Sequence, residues 1–85
     1  MASELHPYRE QFIVKNLSRD VPEAERISVA LKHHYGDTLT QIHGIEASGD
    51  TWNVRLTTSE KGFLFGSAQC IDTDVGFLLV GGITT

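Results

Sequence analysis

The sequence predicts an α+β domain in which one helix packs on an antiparallel sheet, in the order strand, helix, then four strands. Three observations point there. A single stretch, residues 20–36, carries apolar residues at helical spacing between start and stop signals. After Gly36 the apolar period drops to two and does not return to helical spacing. The turn signals "SGD", "SEKG" and "DTD" then cut the remaining chain into four strand-length pieces, the composition of a sheet meander.

Taken in order, residues 1–10 are polar, contain Pro7 and show no periodicity, so they read as a flexible N-terminal arm, leaving 11–85 as a single α+β domain. Gln11–Leu17 is a short strand with Phe12 and Val14 on one face and Ile13 on the other. Asp20 is placed to cap the next helix, with Pro22 in the first turn and Glu23 completing a capping pair. Ala24, Ile27, Leu31 and Tyr35 form its apolar stripe, His33 lies opposite, and Gly36 ends it. In the strand Leu39–Ala47, Ile42 and Ile45 are three apart and share a face only if a bulge intervenes, for which Gly44 is the natural place. Thr51–Thr58 alternates cleanly, with Trp52, Val54 and Leu56 inward and Asn53, Arg55 and Thr57 outward. Gly62 suits a positive-φ hairpin position before the strand Phe63–Ile71, and Val75–Ile83 is the last strand.

Composition narrows the function classes. An 85-residue chain makes one small domain with a thin core. Its single cysteine, Cys70, excludes an internal disulfide. "MASELHPYREQF" holds no apolar leader and "GFLLVGG" is too short to span a bilayer, so the expected setting is a reducing cytoplasm without membrane association. The formal charge is −4. Five acids and five bases cancel over residues 1–35, whereas residues 36–85 set six acids against Arg55 and Lys61 alone. That half is poorly equipped to neutralise phosphates, which makes nucleic acid an unexpected partner.

Two short stretches nevertheless look like nucleic-acid chemistry. "FIVKNL" (residues 12–17) resembles the strand hexamer of the RNA-recognition domain, and "KGFLFGSA" (61–68) resembles its octamer, keeping Lys61, Gly62, Phe63 and Phe65. That resemblance implies unpaired bases stacked on exposed strand aromatics. It departs at Ile13, where the family usually has an aromatic, and at Leu64, Gly66 and Ala68. The family also requires a second helix after the octamer, and "QCIDT" cannot supply one. The simpler reading makes Phe12, Val14, Phe63 and Phe65 core residues of two strands. The alternative of single-stranded nucleic-acid binding would use Phe63 and Phe65, with Lys15, Arg55 and Lys61 along the backbone.

Other constellations are weaker. His33 and His34 are adjacent on a helix and diverge by 100°, with His6 and His43 distant in sequence, so no metal site is expected. Cys70 would serve as a nucleophile only with a partner such as His43; a small apolar strand residue is the plainer account. No glycine-rich phosphate loop stands between strand and helix, and Asp72 and Asp74 flank a turn. The expectation is therefore a protein that is not an enzyme and carries no cofactor.

One feature calls for a partner. "VGFLLVGG" is apolar on both strand faces, with Phe77 and Leu79 on one and Leu78 and Val80 on the other. A single helix covers one face only, so the second must close into a barrel or meet another chain. Phe77, Leu78, Leu79 and Val80 are the oligomer-interface candidates. The expected function is a small inhibitor- or adaptor-like protein-binding module acting as a homo-oligomer, with a basic protein surface as a further partner. A second alternative is small-molecule binding or catalysis at an oligomer interface, where Trp52, Tyr35, His43 or Cys70 from different chains converge.

Overall fold

The structure, a computed structural model, describes residues 5–15 and 17–84, and the side chains of 9–15 and 17–81. Its elements follow the expected order: β1 (Leu5–Val14), α1 (Glu23–Tyr35), a 3₁₀ turn (Gly36–Thr38), β2 (Leu39–Ser48), β3 (Thr51–Thr58), β4 (Gly62–Ile71) and β5 (Asp74–Thr84). The strands form one antiparallel sheet in the order β1-β5-β4-β3-β2. Successive antiparallel pairings make β1 and β2 parallel to each other at opposite edges. The helix is thus a long crossover between them and lies on one face of the sheet.

Strand β1 starts at Leu5 rather than Gln11, so residues 5–10 of the anticipated arm are in the sheet; Met1–Glu4 lie outside the described residues. The reason is partnership with β5, in continuous register from Leu5↔Thr84 to Val14↔Val75, which no local pattern in a polar segment announces.

The helix begins one residue after Pro22, whose carbonyl accepts the Arg26 amide at 2.9 Å and whose side chain offers no cap. The capping role expected of Asp20 is not realised. Asp20 stands two residues before the cap, and its own amide donates to Ser18 Oγ. Glu23 and Glu25 in the first turn and Lys32, His33 and His34 in the last still complement the helix dipole. Gly36, at φ +58°, stops the helix as expected, its amide donating to the Lys32 carbonyl.

Ile27, Ala30, Leu31 and Tyr35 of the helix pack on Val14, Val54, Leu56, Leu64, Ala68, Val75, Phe77 and Leu79 of the sheet. Ala24 sits at the margin of the stripe, only half-buried. Arg26 is buried beside it, its guanidinium donating to the carbonyls of Asp72 and Val21 and so tying the helix start to the β4–β5 turn. In β2 the pairing slips between Ile42 and Gly44, leaving His43 as the extra residue. That bulge, next to Gly44, puts both Ile42 and Ile45 opposite core residues of β3.

Candidate functional site

Strand alternation sends every second residue away from the helix. Across the sheet this produces aligned rows: Arg9, Val80, Phe65, Arg55 and Gly44 form one, Gln11, Leu78, Ser67, Asn53 and Glu46 the next, and Ile13, Gly76 and Gln69 a third. No element among the described residues covers this face. Phe63 and Phe65 are 46% and 49% exposed, and Ile13 and Ile71 are 59% and 62% exposed. These values overturn the expectation that Phe63 and Phe65 are core residues. Their strand places Leu64, Ala68 and Cys70 towards the helix, and the rings necessarily take the other side.

The face has a definite surface chemistry. The Phe63 and Phe65 rings stack at 5.9 Å, and His43 lies 5.9 Å from Phe63 with its Nε2 2.6 Å from Thr57 Oγ1. A shallow, mostly apolar depression of about 580 Å³ is lined by Asn53, Arg55, Phe63, Phe65, Leu78 and Val80. A second, of about 230 Å³, opens around Gly76 between Ile13, Gln69, Ile71 and Leu78. Arg55 Nη2 donates to Glu46 Oε1 at 2.6 Å, an exposed pair at the margin.

Of the four oligomer-interface candidates, Phe77 and Leu79 belong to the intramolecular core, at 2% and 0% exposure, while Leu78 and Val80 are on the uncovered face. Of the nucleic-acid candidates, Arg55, Phe63 and Phe65 come together. Lys15 follows the end of β1, and Lys61 Nζ lies 3.7 Å from Glu10 Oε2 and over the Tyr35 ring, on the helix side. Trp52, Tyr35 and Cys70 pack with the helix-side core, whereas His43 is on the opposite face, so the interface quartet is divided between two sides. The same division separates Cys70 from His43. Burial and the nearby Glu23 push the Cys70 thiol pKa up, and Arg26 offsets this only in part. A thiol so placed is a poor nucleophile at neutral pH. No group of three metal-ligating side chains occurs among the described residues, and the His6 side chain lies outside them.

Sequence reasoning missed a polar cluster on the helix side. Glu10 accepts hydrogen bonds from Tyr35 Oη and His34 Nε2, both at 2.9 Å. The His34 ring stacks on Phe12 at 3.6 Å, and Phe12 in turn stacks on Phe77. Parity carried the signal: Glu10 is two residues before Phe12 and four before Val14, hence on their face. No helix among the described residues is long and apolar enough to cross a membrane. No protein-family model, curated protein or solved structure matches the chain.

Proposed function

We propose that this chain is a protein-binding module rather than an enzyme, and that it assembles with a second copy through the uncovered face of its sheet. The observation that carries this reading is the apolar group Ile13, Phe63, Phe65, Ile71, Leu78 and Val80 on a sheet face that the helix does not reach. A patch of that kind on a small domain marks an association surface. Charge favours a like partner. The strand residues of the face carry Arg9 and Arg55 against Glu46 and Asp74, a formal balance of zero, on a chain of net charge −4. Two copies therefore meet there without the repulsion that their remaining surfaces exert. The acidic excess, including Glu23 and Glu25 of the helix, is left facing outward for a basic protein surface.

Light scattering after size exclusion tests this. The wild type is expected at twice the monomer mass at about 100 μM, and Phe65→Ser or Phe63→Ser at monomer mass with an unchanged circular dichroism spectrum. A wild type that stays monomeric at that concentration would sink the reading.

A second reading, single-stranded nucleic-acid binding, is favoured by one observation: the stacked, half-exposed Phe63 and Phe65 beside Arg55. The engagement of Arg55 by Glu46 weakens it. Fluorescence anisotropy with labelled oligonucleotides at low salt decides, with retained binding in Phe65→Ala counting against it.

A further inference from the structure

The glycines of the chain are not equivalent. Gly36, Gly49 and Gly62 hold positive φ; a Cβ at Gly66 or Gly81 would strike backbone of the neighbouring strand, and one at Gly44 would meet Arg55 Nη2 at 2.6 Å. Gly76 has none of these reasons. It lies within β5, and a Cβ there would touch only Ile13 Cγ1 at 3.9 Å and the Gln69 carbonyl at 4.0 Å. Glycine inside a strand weakens it and often marks close approach by another molecule. What this glycine provides is the depression of about 230 Å³ on the uncovered face. That exceeds the roughly 150 Å³ of a protein cavity known to accept benzene.

The geometry points to Phe65 of a second copy as the occupant of the Gly76 recess, and reciprocally, in a two-fold dimer; this rests on the self-association reading above. The register supplies the symmetry. Phe65 pairs with Val80, Ser67 with Leu78, and Gln69 with Gly76, so the ring and the recess lie one row on either side of the Ser67–Leu78 row. The separation is two residues each way, about 7 Å along the strands. A two-fold axis between stacked sheets, passing between Ser67 and Leu78 and tilted by roughly 20° from that row, makes up the one-strand offset of about 4.8 Å and lays Phe65 of one copy over Gly76 of the other. Each contact then occurs twice, as an isologous interface requires. Leu78 of both copies meets at the centre, and Ile13 walls the recess.

The test uses the whole chain. Gly76→Val fills the recess where the backbone has room, and is expected to raise the dimer dissociation constant at least tenfold while leaving the circular dichroism spectrum unchanged. In a mixed sample of isotope-labelled and unlabelled protein, isotope-filtered NOEs are expected between the Phe65 ring of one copy and Gly76 Hα and the Ile13 methyls of the other. A wild type that dimerises through Phe65 but shows ring-to-ring Phe65 NOEs, with Gly76→Val dimerising normally, overturns this register and leaves the association reading standing. A monomeric wild type overturns both. Should Gly76→Val not fold, the NOE pattern decides alone.

Discussion

Alternation along β4 sends Cys70 to the helix side and Phe65 to the uncovered side, and this one-residue parity separates a half-buried thiol from an exposed ring. The raised Cys70 pKa means that the fold favours the neutral thiol, mainly because burial penalises the thiolate. Its contribution to stability is therefore complete below the pH at which an unfolded thiol titrates, roughly 8.5, and is lost as pH rises through the higher folded value. Urea titrations should accordingly show an alkaline decline that is smaller in Cys70→Ala. At pH 8, alkylation of Cys70 should be slower in the folded protein than in urea, and equal rates would contradict the assignment. At this scale the sequence was only partly legible. The inward parity of Val54 and Leu56 follows from clean alternation, whereas β4 is apolar at Phe63, Leu64 and Phe65 in succession. Parity shows that Phe63 and Phe65 share a face, but not which face the helix takes.

Among the elements, β4 and β5 are packed with no room for a side chain at two glycines. A Cβ at Gly66 would strike the backbone of Leu78 and Leu79, and one at Gly81 would strike Phe63 and Leu64. Gly66→Ala or Gly81→Ala must push two strands apart, at a cost of about 1–3 kcal/mol. Gln69→Ala on the exposed side should change stability by less than about 0.5 kcal/mol. Chemical denaturation compares them, and an unperturbed Gly66→Ala would show that the sheet relaxes there freely. The helix stripe Ile27, Leu31 and Tyr35 was readable because helical spacing is local. A bulge in β2 was readable as well, because two isoleucines three apart must share one core, although the extra residue is His43 rather than the expected Gly44. The cap was not. Asp20 and Glu23 have the right spacing, yet the extended ψ of Pro22 starts the helix too late for Asp20 to reach it.

The whole molecule is a two-layer slab, 51 × 28 × 19 Å, with a radius of gyration of 13.3 Å against about 12 Å for a compact chain of this length. Face-to-face pairing would thicken it to helix, sheet, sheet, helix and supply a sheet-to-sheet core. Because association binds only folded protein, the thermal midpoint should rise with concentration in the wild type and stay flat in Phe65→Ser. A midpoint independent of concentration in both argues against assembly. The fold class was legible from period and turn signals, but the length of β1 was not, since its first six residues owe their strand form to β5. That pairing also sets a clock on synthesis. Strand β1 has no sheet neighbour except β5, and Val14 waits for Val75, sixty-one positions later. At about 5–20 residues per second the wait lasts roughly 3–12 s. During it Phe12, Ile13 and Val14 lack the strand they pair with, which leaves an apolar stretch of the nascent chain that a chaperone can bind.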